Sequence, residues 1–302
     1  MKAYLDYAAT TPVRKEVVEA MAPYWQEKFG NPSSVHSWGR EARIAVVEAR
    51  KTIARVLNCE PEEIIFTAST TVSDNLAILG AVRKIRDTGH GTRDTKLHLV
   101  TSSVEHHAVL DTFKHLEKEE GFELTVLPVD KYGLVNPKEV KKALRPETIL
   151  VSVMYANNEV GTIQPIAEIA KALKNFSLLT SPPASPPPDS LRDSKRAGAA
   201  KRWRAGHFPL LHTDAATVAE YLDLDVQKLG VDLLSLGAHK FGGPKGTGIL
   251  YVKKGTPIKP LTFGGHHEKS LWPGTEAVPL IVGMAKALQS AISNQQSAKL
   301  RS

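Results

Sequence analysis

Residues 212–252 read HTDAATVAEYLDLDVQKLGVDLLSLGAHKFGGPKGTGILYV. The stretch opens on the end of one apolar run, Pro209–Thr213, and contains two more, Val231–Leu236 and Thr247–Val252. Each has strand length, and each is apolar enough to be buried on both faces. Asp214 follows the first run directly, and His239 and Lys240 follow the second. The glycine-rich segment GGPKGTG (242–248) then turns the chain back into the third. A lysine at the mouth of a hydrophobic strand needs a partner or a task.

The same pattern extends toward the N-terminus. Ile64–Thr67, Leu97–Ser102, Leu124–Leu127 and Ile149–Met154 read as four further strands. Helical periodicity lies between them, at Ser73–Arg86, His107–Glu120, Pro137–Leu144 and Ile166–Lys174, with longer patterns at Gly39–Leu57 and Ile281–Ala291. Strand–helix alternation predicts an α/β fold, with a mainly parallel seven-stranded sheet covered by helices. Such sheets bind ligands at the carboxyl ends of their strands.

The chain has 302 residues, a formal charge of +7 and a single cysteine, Cys59. One cysteine allows no internal disulfide and suits a reducing compartment. MKAYLDYAATTP lacks the apolar core of a signal peptide, and no apolar run nears the roughly 20 residues needed to span a bilayer. A cytoplasmic protein without a membrane partner is expected. The positive charge is concentrated in 177–206, where six basic residues face two acidic ones. Outside that segment the chain is only +3, which argues against a nucleic-acid partner. The segment carries five prolines in its first half and a basic second half. It reads as a surface insertion in what should be a short helix-to-strand link.

Polar residues recur at the predicted strand ends. ASTTVSDN follows Ile64–Thr67, offering hydroxyls and free amides at a helix start, an arrangement suited to phosphate. Thr71 or Ser73 could equally cap that helix. SVEHHAVL places His106 at the next helix start, and YANNEVG places two asparagines in a turn. With Asp214, His239 and Lys240, these residues converge on the rim where the sheet binds ligands. A partly desolvated lysine has a lowered pKa and forms Schiff bases. Pyridoxal phosphate needs such a set: a lysine for its aldehyde, an acid for its ring nitrogen and donors for its phosphate. Rival signatures fail, because GGPKGTG does not match the P-loop and no GxGxxG follows the first strand. No metal site is expected.

Seven ordered stretches carry a family resemblance: YLDYAATTPV (4–13), FGNPSSVHSWGREA (29–42), IIFTASTTVSDNLAI (64–78), SSVEHHAVL (102–110), ILVSVMYANNEVGTIQPI (149–166), the 212–252 segment and GGHHEKSLWPGTEAV (264–278). The sequence resembles the cysteine desulfurases, class V members of the fold-type-I pyridoxal-phosphate enzymes. The resemblance implies that Lys240 links the cofactor and later moves the substrate's Cα proton. It implies that Asp214 pairs with the ring nitrogen and His106 stacks on the ring. Asn158 would lie near the ring hydroxyl and substrate carboxylate. Thr70, Thr71 and His239 would hold the phosphate, and Thr275 would reach the phosphate of the other subunit in a homodimer. The implied reaction takes L-cysteine or a related amino acid to alanine, passing sulfur to an acceptor protein for iron–sulfur cluster or thio-cofactor assembly.

Several positions depart from that family. Val72 stands in place of a phosphate-loop glutamate, Thr217 in place of a glutamine, Gly237 in place of a serine and Trp272 in place of an arginine. Each lost hydrogen bond to a charged phosphate or ring costs roughly 1.5–3 kcal/mol. The family's loop cysteine and substrate-binding arginine have no counterpart here, which implies a C-terminally truncated member. Residues 14–263 would form the cofactor-binding large domain, 1–13 a segment of the small domain, and 264–302 its start. Two other outcomes stay open: a selenocysteine or cysteine lyase, which needs no loop cysteine, or an inactive large domain.

Overall fold

A computed structural model describes residues 3–88, 96–180 and 209–299. Among them, seven strands form one sheet: β1 (Ile64–Thr67), β2 (His98–Ser102), β3 (Glu123–Leu127), β4 (Thr148–Ser152), β5 (Leu210–Asp214), β6 (Leu233–Gly237) and β7 (Gly248–Val252). Their spatial order is β1-β7-β6-β5-β4-β2-β3. The pairs from β6 through β3 are parallel. Only β7 runs against its neighbours, β1 and β6. It can do so because the GGPKGTG segment reverses the chain at once, with Gly242 and Gly246 at φ of 79° and 84°, where a side chain would be strained.

Apart from the edge strand β3, which is only partly buried, the strands are buried on both faces because both faces are covered. Along β1, Ile64 and Phe66 enter one core, while Ile65 between them enters the other. The first core holds α1 (Lys15–Met21), α3 (Ser37–Leu57), α7 (Ile166–Thr180) and α9 (Val278–Lys299), through Val17, Ile53, Leu173, Ile281 and Leu288. The second holds α4 (Thr70–Asp87) and α5 (His107–Glu120), through Leu76, Ile85, Val109, Phe113 and Leu116. Shorter helices complete the described chain: α2 (Pro23–Gln26), α6 (Pro137–Ala143) and α8 (Val226–Leu229).

The predicted elements are all present, and several ends move: the helix expected at Ile281–Ala291 runs from Val278 to Lys299, and strand ends shift by one or two residues. The helix expected at Ile166–Lys174 runs on to Thr180, so Ser177–Thr180 are helical rather than the start of the insertion. The remainder of 177–206, from residue 181, lies outside the described residues. The helix after β1 starts at Thr70, and its cap is Ser69, whose hydroxyl accepts from the Val72 amide at 3.2 Å, not Thr71 or Ser73.

One loop is braced from within. Glu268 is 7% exposed, receives both Arg50 guanidinium nitrogens at 2.5 and 3.0 Å, and accepts the Phe66 amide at 2.8 Å. This anchors three consecutive non-glycine residues with left-handed backbone, Glu268, Lys269 and Ser270, at φ of 46°, 58° and 63°.

Candidate active site

The carboxyl ends of β1, β2, β4, β5 and β6 meet on one rim of the sheet. Asp214 is the last residue of β5 and is 6% exposed. Its carboxyl accepts the Ala216 amide at 2.9 Å. Burial raises its pKa, while that hydrogen bond and the nearby His106 and Lys240 pull the other way.

Beyond β6 the chain makes a single 3-10 turn, Ala238–Lys240, which places His239 and Lys240 over the rim. The N-terminal segment clamps this turn. The His239 carbonyl accepts the Thr11 amide and hydroxyl, both at 2.9 Å, and the Thr11 hydroxyl accepts the Gly242 amide at 2.7 Å. His239 Nδ1 lies 3.1 Å from the Thr10 hydroxyl. Lys240 Nζ donates to the Ala8 carbonyl at 2.5 Å. Burial lowers the pKa of both His239 and Lys240, so part of the lysine's preference for its ammonium form is removed.

The N-terminus of α4 rests directly on the sheet. Gly237 and Gly248 are register partners across β6 and β7. A Cβ at Gly248 would stand 2.8 Å from the Ser69 carbonyl carbon, so the two glycines form a notch for the helix end. Ser69 spends its hydroxyl on Val72, which leaves the Thr70 and Thr71 amides without intrahelical partners. Thr70 Oγ1 is also shut from solvent with no hydrogen-bond partner.

At β2 the acid before His106 is a structural staple. Glu105 Oε1 accepts the Ser102 hydroxyl at 2.5 Å and the Met154 amide at 3.0 Å, tying the end of β2 to that of β4. Burial pushes Glu105 up to about 8. His106 then caps α5, its Nδ1 accepting the Ala108 amide at 3.1 Å, which leaves Nε2 for the site. At β4 the two asparagines divide their work. Asn157 makes the turn, accepting the Glu159 and Val160 amides and donating to Val104. Asn158 lines the site instead.

A cavity of about 180 Å³ is lined by Thr70, Thr71, His106, Asn158, Asp214, His239 and Lys240. These are seven of the eight residues expected from sequence. Thr275, the eighth, is exposed on the 264–277 loop and is not among the lining residues. A second cavity of about 360 Å³ shares Ala156, Asn158, Thr217 and Lys240 with the first and adds Tyr7, Ile163, Tyr221 and Leu222. Trp272 packs against the second core instead of reaching either space.

Sequence reasoning passed over Asp74. It lies one turn into α4, is 0% exposed and lines the first cavity. Its two carboxyl oxygens have no hydrogen-bond partner, and His212 Nε2 is 3.5 Å away. Burial and the charge of Asp214 drive it toward its neutral form. The Ser235 hydroxyl, engaged with His212 at 3.1 Å, offsets only part of this. The available signal was its spacing from Thr70 and Thr71, which puts all three on one side of a helix.

Cys59 lies elsewhere, half-buried against the first core, and burial pushes its thiol up to about 12. Among the described residues, no group of His, Cys, Asp and Glu is arranged to hold a metal, and no helix is long and apolar enough to cross a membrane.

The donor set fits a phosphorylated pyridine aldehyde. It provides an amine with weakened charge, a buried acid for a ring nitrogen, an orphaned buried hydroxyl and a helix N-terminus for the phosphate.

Comparison with known proteins agrees. The sequence is 47% identical over 289 residues to the protein named cysteine desulfurase IscS of Dictyoglomus turgidum, covering 96% of this chain and 64% of that one. The chain thus spans less than two thirds of the length of such curated relatives. A solved structure titled NifS-like protein superposes with a TM-score of 0.84 at 36% identity, covering 99% of this chain and 72% of the other. A second, titled SspA in complex with cysteine, gives 0.78 at 38% identity, covering 95% and 72%. The family model for aminotransferase class V matches residues 3–181 and 199–301, and the chain belongs to that family.

Proposed function

We propose that the chain is the cofactor-holding part of a cysteine desulfurase, which uses pyridoxal phosphate to take L-cysteine to L-alanine and pass on its sulfur. One observation carries this reading: Lys240, Asp214 and the orphaned Thr70 hydroxyl line a single cavity. The cofactor supplies an electron sink for the bond cleavages at the amino acid.

The chain's own residues supply the rest. Lys240, its ammonium disfavoured by burial, would hold the cofactor through its aldehyde and carry the substrate's Cα proton. Asp214 would hold the ring nitrogen. The Thr70 and Thr71 hydroxyls, the first amides of α4 and His239 hold the phosphate. His106, whose cap on α5 leaves Nε2 for the site, would help hold the ring and move a proton. Asn158 would meet the ring hydroxyl and the substrate carboxylate, with the cavity beyond it for the side chain.

Breaking the Cβ–S bond requires a sulfur acceptor. In the balanced step an acceptor thiolate takes the sulfur as a persulfide, and Cβ takes a proton. Cys59 is unsuited, because its thiol is held protonated and lies outside both cavities. The acceptor thiol therefore comes from outside these 302 residues. A homodimer fits the exposed Phe263, Val35 and Trp38, and in it Thr275 would reach the partner's phosphate. We read residues 14–263 as the cofactor-binding unit, with 1–13 and 264–302 as parts of a smaller domain, in a cytoplasmic protein.

The test is product analysis of cofactor-loaded protein given L-cysteine and a small thiol. Alanine and persulfide, formed in equal amounts, are expected. Pyruvate and ammonia without alanine would refute the desulfurase assignment.

A further inference from the structure

Gly237 ends β6 with an extended backbone, at φ −131° and ψ 126°. Any residue adopts that conformation, so the backbone does not demand glycine. The demand is steric. A Cβ on Gly237 would stand 2.1 Å from Thr70 Oγ1, but 3.4 Å from Thr70 Cβ and 3.6 Å from Thr70 N. Only the threonine hydroxyl oxygen therefore conflicts with a side chain at 237. With the threonine cut back to its Cβ, the same contact becomes an ordinary one.

The hydroxyl that fills this space has no hydrogen-bond partner in the protein, although it is shut from solvent. A buried hydroxyl left unsatisfied is selected against unless a ligand completes it. Its residue lines the cavity beside Lys240 and His239, and it opens α4, whose first amides face an anion favourably.

We propose that Thr70 Oγ1 is a side-chain donor to the cofactor's phosphate, and that Gly237 is glycine because α4 and β6 leave room for only one hydroxyl-bearing side chain, at 70 or at 237. The proposal rests on reading the site as a pyridoxal-phosphate site. Positions 70 and 237 are then two halves of one subsite, and each constrains the residue at the other.

Four variants test it: Thr70→Ala, Thr70→Ser, Gly237→Ser and the double variant Thr70→Ala/Gly237→Ser. Binding of pyridoxal phosphate and of pyridoxal, which lacks the phosphate, is followed by visible absorbance, and the melting temperature of each protein is measured without cofactor. Thr70→Ala should weaken pyridoxal phosphate roughly 10- to 100-fold and leave pyridoxal unchanged. Thr70→Ser should stay within about threefold of wild type, since it keeps the hydroxyl. Gly237→Ser alone should lower the melting temperature, and the double variant should restore it and recover most of the lost phosphate affinity. The proposal is overturned if Thr70→Ala binds pyridoxal phosphate as wild type does, or if Gly237→Ser is tolerated beside Thr70. It is equally overturned if the double variant is no better than Thr70→Ala. A wild-type chain that links neither aldehyde would refute the functional reading and the phosphate half together. Melting temperatures would still decide the steric half separately.

Discussion

Replacing Asp214 with asparagine should move cofactor affinity and stability in opposite directions. The side chain is 6% exposed, and its contact with the Ala216 amide at 2.9 Å survives, because an asparagine Oδ1 accepts the same hydrogen bond. What disappears is a buried charge facing a second buried acid, Asp74, whose neutral form that charge already favours. Neither burial nor like-charge proximity favours Asp214 in the cofactor-free protein. The variant without cofactor should therefore match wild type within about 1 kcal/mol, or exceed it. With cofactor the sign reverses. A charge-assisted hydrogen bond to the ring nitrogen contributes about 1.5–3 kcal/mol, so the dissociation constant should rise roughly 10- to 150-fold. Equilibrium urea unfolding of the cofactor-free proteins and absorbance titration with pyridoxal phosphate measure the two quantities. A loss of more than about 2 kcal/mol of stability at unchanged affinity would make Asp214 a structural residue and refute the reasoning.

Two further outcomes follow from other parts of the site. Glu105 titrates at about 8 in the folded protein against 4.5 ordinarily, so the folded state keeps a proton that the unfolded chain releases. Stability should fall as pH rises from about 4.5 to about 8 and level off above that, by several kcal/mol at most. Glu105→Gln should flatten this decline in urea unfolding series across that range; an unchanged slope would assign it to other groups. Glu268→Ala leaves the Arg50 guanidinium and the Phe66 amide without their acceptor, and should cost about 3–5 kcal/mol in the same assay.

The sheet was legible because all its strands but the edge strand β3 are buried on both faces. Runs such as Ile64–Thr67 and Ile149–Met154 are apolar throughout and bounded by polar turns, and each became a strand within two residues of its expected ends. Lys15–Met21 was not legible as a helix. It is seven residues long and buries only Val17 and Met21, too few positions for a period to show. The rim residues could be read from position alone, since a polar side chain just past a buried strand has few places to go but the ligand end of the sheet. Asp74 was harder to read, because its helical spacing from Thr70 and Thr71 is all that separates it locally from an ordinary acid in the first turns of a helix. Gly237 had read as a departure that weakened the phosphate site, and Thr70 as a phosphate donor unconnected with it. A Cβ at Gly237 would stand 2.1 Å from Thr70 Oγ1, which links residues 167 positions apart and turns the apparent loss at 237 into an exchange of place. The role of Thr275 was likewise beyond one chain, because the residue is exposed and away from the cavity.

The central claim is that Lys240 is the group that links the cofactor. Its most direct test is borohydride reduction of the purified protein after incubation with pyridoxal phosphate, followed by mass spectrometry of the peptides. The account predicts one stoichiometric phosphopyridoxyl adduct, on the peptide carrying Lys240, and none at that level in Lys240→Ala. Adducts spread over exposed lysines, with Lys240 unmodified, would contradict it.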